Sequence, residues 1–167
     1  MAIKSYESDY NGRLPAPGIP TGLQDVTYGY AGPALTGHYT VANNRDVVAV
    51  LLNLVKFPDG TATTNVGNAF NPRGLTPWNA KYGSDNTSAG IGQDGNLRDP
   101  WGNQYIISMD TSLDQQTGDT LYSRTFVSQD SGVKRLNAFS NPANVTDGFR
   151  LAGQYLIWSR GPDGLAT

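Results

Sequence analysis

Cysteine is absent from the 167 residues, which excludes disulfide scaffolds, thiolate zinc sites, iron–sulfur clusters and cysteine nucleophiles. Histidine is nearly absent: with His38 alone, one chain cannot build a multi-histidine metal site, and any Ser-His-Asp arrangement would have to use that residue. Glutamate is scarce too. Glu7 stands alone, and every other acidic residue is aspartate, a side chain that suits caps, Asx-turns and hard-cation loops better than helix interiors. Charged residues are only 16%, against about 25% in average proteins. The net charge of −2 argues against a nucleic-acid-binding surface and against a polybasic membrane patch. The longest apolar run, Val47 to Leu52, is far short of the roughly 20 residues a membrane helix needs. Met1-Ala2-Ile3-Lys4 leads into polar sequence, so no signal peptide is legible and the chain is expected to be soluble.

What is present is turn material, with 20 glycines and 10 prolines, plus aromatics enough for a core, so extensive disorder is not expected. The length suits one domain over residues 1–167. Ile3, Tyr6 and Tyr10 fall at helical spacing within Ala2–Tyr10, and Asn11-Gly12 stops that helix. The segment looks like the end of something longer. Leu14 to Thr40 is expected to be loop. A second helix is predicted over Val47–Val55, capped by Asn43 or Asn44, carrying Asp46 in its first turn and ended by Pro58. Thr61 to Asn96 is polar and predicts a long ordered loop with a helical turn near Trp78. Strands are expected over Gln104–Met109, Leu121–Val127 and Gln154–Ser159, the last apolar on both faces and so central or covered. Helix first and then an antiparallel meander makes an α+β fold.

Two strings invite comparison: Asp99-Pro-Trp-Gly-Asn-Gln-Tyr105, entering a strand, and Ser159-Arg-Gly-Pro-Asp-Gly164, leaving one. Taken alone each is a well-made turn, with Trp101 as a plug onto the core. Together with the opening Ile3–Pro17 they resemble the soluble part of type II secretion major pseudopilins and related type IV pilin-like proteins. In that family "DPWGNPY" opens the first strand of a small sheet, and "YS-x-G-x-DG" closes the last paired strand. Trp158 stands where the closing string has tyrosine.

The resemblance implies a pilin-like fold, with an N-terminal helix and a second helix packed on a small antiparallel sheet. Tyr6 and Tyr10 would face strand side chains, and Trp101 and Trp158 would be buried. It implies a structural subunit of a pseudopilus or pilus-like filament rather than an enzyme. Such a subunit self-assembles with like subunits, and meets minor pseudopilins and an inner-membrane assembly platform. It would reside on the periplasmic side of a bacterial envelope, meeting the membrane only through a preceding hydrophobic helix. It also implies calcium, held by the Asp163 carboxylate and the backbone carbonyl of Arg160. One carboxylate makes a weak site, and a plain Pro-Asp-Gly turn accounts for Asp163 as well.

The rival from another class is a secreted carbohydrate- or surface-binding module using Tyr28, Tyr30, Trp78 and Tyr82. Asp110, Asp114 and Asp119 could form a carboxylate cluster for glycoside or phosphoryl chemistry, but a polar hairpin loop explains them more simply. His38, between Gly37 and Tyr39, suits a surface or packing role better than that of a general base. Asn86-Thr-Ser88 and Asn144-Val-Thr146 match the glycosylation sequon, a pattern common by chance.

Overall fold

The computed structural model describes residues 2–128, 139–141 and 146–165. The fold is α+β with little helix, arranged as two compact units. One comprises residues 1–18, 43–105 and 159–164, the other residues 19–42, 106–158 and 165–167.

In the first unit, helix α1 (Ala2–Asp9) buries Ile3 and Tyr6, as the spacing predicts. Asn11 and Gly12 both take positive φ, and the Gly12 amide donates to the Glu7 carbonyl at 2.8 Å. This left-handed cap closes the helix. Tyr10 stacks on Tyr6 with centroids 4.4 Å apart. The Tyr6 hydroxyl donates to the Phe70 carbonyl and that of Tyr10 to Asn71. The tyrosines were expected against strands; the ring and hydroxyl partners seen are each other and the loop of residues 70–73, with Arg73 over the Tyr10 ring.

Helix α2 (Arg45–Leu51) buries Val47, Val48, Ala49, Val50 and Leu51. It ends four residues before the predicted boundary at Val55. Asn53 adopts φ 53° and the Leu54 amide donates to the Ala49 carbonyl at 2.8 Å, so an asparagine supplies the left-handed cap well ahead of Pro58. Asn44 is the N-cap residue, but its side chain caps nothing. Its Nδ2 donates to the carbonyls of Leu97 and Tyr105, both at 2.8 Å, and its Oδ1 accepts from the Leu97 amide.

The long polar stretch is ordered by buried asparagines. Asn65 accepts from the Phe70 and Asn71 amides, and Asn71 donates to the carbonyls of Val50 and Leu75. Its regular pieces are a 3₁₀ turn at Val66–Asn68 and a hairpin of β3 (Gly90–Ile91) with β4 (Leu97–Arg98). The helical turn expected near Trp78 does not form.

The second unit holds a mixed sheet. Strand β1 (Asp25–Tyr28) pairs in parallel with β2 (His38–Val41) and antiparallel with β5 (Ile106–Met109), which pairs antiparallel with β9 (Tyr155–Trp158). The order is β2-β1-β5-β9. β1 and β5 are buried along their whole length. Three expectations are corrected here. Residues 14–40, read as loop, supply two strands, one of them internal. The sheet is mixed rather than antiparallel. β9, expected to be central or covered, is an edge strand among the described residues, with Ile157 47% exposed and Trp158 half-buried.

A second sheet of β6 (Gln116–Thr117), β7 (Phe139–Ser140) and β8 (Arg150–Ala152) has the order β6-β8-β7. Leu121–Val127, predicted as a strand, is instead a turn leading into the short helix α3 (Thr125–Ser128). The cause is Asp119: its carboxylate accepts from the Leu121 and Tyr122 amides, both at 2.9 Å. Backbone donors held this way are not available to a ladder. No helix of the described residues is long and apolar enough to cross a membrane.

Candidate functional site

In the first unit, the two strings that carry the family resemblance lie against each other. Asp99 is buried. Its Oδ1 accepts from the Trp101 amide at 2.9 Å and the Asn103 amide at 2.8 Å, and its Oδ2 accepts from the Ser159 hydroxyl at 2.8 Å. Asn103 returns the tie by donating Nδ2 to the Gly161 carbonyl at 2.8 Å, and the Gly161 amide donates to the Ser159 hydroxyl at 3.1 Å. One aspartate thus organises its own turn and anchors the loop that starts the closing string. Gly102 has φ 88°, and a Cβ there would stand 2.3 Å from the Thr87 carbonyl oxygen, so the turn is seated on backbone that only glycine can approach.

Trp101 is not the predicted plug. It is 57% exposed, because the turn is held by Asp99 beneath it rather than by the indole.

Asp163 is exposed, in the turn that the Gly164 amide closes onto the Gly161 carbonyl at 3.3 Å; Arg160 is half-buried. Among the described residues no three His, Asp or Glu side chains gather into a set that could hold a metal ion. Asp163 therefore brings a single carboxylate, the Gly161 carbonyl is already accepting, and the Asp99 oxygens carry three donors. Such a donor set does not fit a tightly held calcium, which asks for six to eight oxygens.

The second unit contains a buried polar cluster. Asp119 is fully buried, and its Oδ2 accepts from the Ser108 hydroxyl at 2.6 Å and the Trp158 indole N–H at 3.0 Å. Ser108 also meets the Thr27 hydroxyl at 2.9 Å. Each of the three loop aspartates has structural partners. Asp110 accepts from the amides of Leu113, Asp114 and Gln115, which shapes the loop. Asp114 pairs with Arg150 at 3.1 Å, and Asp119 is committed to the bonds above. Ser108 is buried and bonded to Asp119 and Thr27.

His38 is buried, with its Nδ1 lacking a hydrogen-bond partner. Burial first, and the Arg150 charge second, push it down to about 4, against a smaller upward pull from Asp119. Burial also pushes Asp25 up, opposed by the Gly118 amide, by Ser112 and by Arg150. Of the four rings named for carbohydrate contact, Tyr28 is buried, Tyr30 and Trp78 are half-buried, and Tyr82 is 52% exposed.

The contacts of Ser159 and Asn103 were invisible as a pair in the sequence. Both lie inside the two strings, but nothing in either string says that the other completes its hydrogen bonds. Compared with known proteins, the chain matches no protein family, no curated protein and no solved structure.

Proposed function

We propose that the chain is a non-enzymatic structural subunit of a pseudopilus or type IV pilus-like filament of a type II secretion system, on the periplasmic side of a bacterial envelope. The observation that supports this reading is the hydrogen-bonded junction of Asp99, Asn103, Ser159 and Gly161. It ties together the two strings on which the resemblance rests. The strands those strings enter and leave, β5 and β9, pair antiparallel with Ile106 opposite Trp158, in keeping with a pilin-like fold. In this reading α1 continues from a hydrophobic helix that packs with like subunits and serves as the membrane anchor before assembly. Minor pseudopilins and an inner-membrane platform are the further partners. The gene upstream of Met1 is the direct test: it should encode a basic leader followed by an apolar run of about 20 residues. If neither is encoded there, the filament reading fails.

A secreted carbohydrate-binding module is the second reading, favoured by the exposure of Trp101 and Tyr82. Pull-down on insoluble polysaccharides separates the two. Retention that is lost in Tyr82→Ala and Trp101→Ala variants would support the module and not the filament.

A further inference from the structure

His38 occupies a buried position in which its Nδ1 has no hydrogen-bond partner. It sits on β2, which forms one edge of the mixed sheet among the described residues and has β1 as its neighbour. Its ring is pressed edge-on into Gly118: a Cβ at Gly118 would lie 2.0 Å from the imidazole Cε1 and 3.0 Å from both ring nitrogens. The same glycine is held from the other direction, its amide donating to the Asp25 carboxylate at 2.6 Å. Two residues along the strand, on the same face, the Thr40 hydroxyl meets the Thr120 hydroxyl at 3.1 Å. His38 and Thr40 are thus two teeth of β2 engaged with residues 118–120.

Three charged groups of the described residues bear on the ring. Asp25 is its register partner on β1, Asp119 follows Gly118, and Arg150 comes from β8. Asp25 is occupied by Gly118, by Ser112 and by Arg150 at 3.7 Å, and Asp119 by four donors. Neither carboxylate donates a hydrogen bond to, or accepts one from, the unpartnered Nδ1. Arg150 opposes any positive charge placed there.

We propose that His38 is an acid-operated latch: a proton taken from solvent onto the imidazole drives the ring off Gly118 and releases β2 from residues 118–120, while β1, β5 and β9 stay paired. A buried cation whose Nδ1 has no hydrogen-bond partner, and which the Arg150 charge opposes, is relieved by moving into water. The element that can move at least expense is an edge strand. This device does not depend on the filament reading.

The single histidine makes the experiment direct, since one imidazole Cε1–H resonance reports this residue without assignment. In the folded protein that resonance should keep its neutral position down to about pH 4–5. Hydrogen exchange should then show the Tyr39, Thr40 and Val41 amides losing protection between pH 7 and pH 4. The loss should be on the order of 100-fold relative to His38→Gln, because opening gains about tenfold per pH unit between the two proton affinities. Arg150→Gln should raise the imidazole midpoint and shrink that loss. Titration near pH 6.5 in the folded protein overturns the proposal. So does an equal loss of protection in His38→Gln, or a loss shared by β1, β5 and β9. If His38→Gln does not fold, the wild-type resonance and the Arg150→Gln comparison decide: an unchanged loss of protection in that variant overturns the latch.

Discussion

Asp119 shows how much of this protein rests on polar side chains that never reach water. Four donors converge on its two oxygens, from Ser108, Leu121, Tyr122 and Trp158. Replacing it with alanine leaves buried donors unpaired, each worth about 1–3 kcal/mol. Asp119→Ala should therefore lose at least about 3 kcal/mol in urea denaturation, with Asp119→Asn losing less. A near-neutral result would mean that the cluster is wet. Gly118→Ala should cost about 1–3 kcal/mol, because the new methyl collides with the His38 ring. His38 itself makes stability depend on pH. Its folded-state pKa of about 4 lies below the unfolded value near 6.5, so the unfolded chain binds the proton more readily. Stability is untouched above pH 6.5 and falls as the pH drops from there towards 4. At pH 4.5 the deficit should be about 2–3 kcal/mol relative to His38→Gln. Asp25 works in the opposite direction: its raised pKa makes the buried carboxylate a cost at neutral pH, one that fades as the pH falls past its folded value.

At the scale of elements, helix ends and turns are set by short polar side chains. α1 and α2 both stop at an asparagine with positive φ, Asn11 and Asn53, and in α2 that residue overrides an apolar stripe that continues to Val55. Val55 is accordingly exposed. Asp99 does the same for a turn. Because it serves both the Trp101–Asn103 amides and the Ser159 hydroxyl, Asp99→Ala should destabilise the first unit by about 2–4 kcal/mol. It should also raise hydrogen exchange at Trp101, Asn103 and Gly161 together. Exchange rising at Trp101 and Asn103 while Gly161 stays protected would show that the two turns are held independently. Ser159→Ala removes one of the Asp99 bonds and should cost about 1 kcal/mol.

For the molecule as a whole, the described residues place hydrogen-bonded asparagine, threonine, serine and aspartate in the interior of both units. That accounts for a hydrophobic fraction of 38% in a chain that still folds, since a buried polar group is tolerated when its bonds are satisfied. The whole chain is also the scale at which the cation question is tested. Asp163 is one exposed carboxylate, and the nearby Gly161 carbonyl is already in use. Calorimetric titration should therefore find no calcium site tighter than about millimolar, the range of weak extracellular modules. A micromolar site would require donors other than Asp163 and the Arg160 carbonyl.

Local patterns in the chain were enough for α1, with its Asn-Gly stop, for the start of α2, and for the strands at Ile106–Met109 and Tyr155–Trp158. Periodicity and turn chemistry act over a few residues, and a reader of sequence sees that range. β1 and β2 escaped because Asp25–Tyr28 and His38–Val41 are short and lie amid glycine and proline. β1 is held as a strand by β5, some 80 positions away, where Thr27 meets Ser108, and β2 is held by β1. Leu121–Val127 had strand composition, yet a single upstream aspartate captured its amides. Trp101 was misplaced because its turn is held by the Asp99 carboxylate, which is itself anchored by Ser159, distant in sequence. Composition and spacing thus determined which segments could be regular. The tertiary structure decided which of them were, because the deciding hydrogen bonds join side chains to backbone that lies far along the chain.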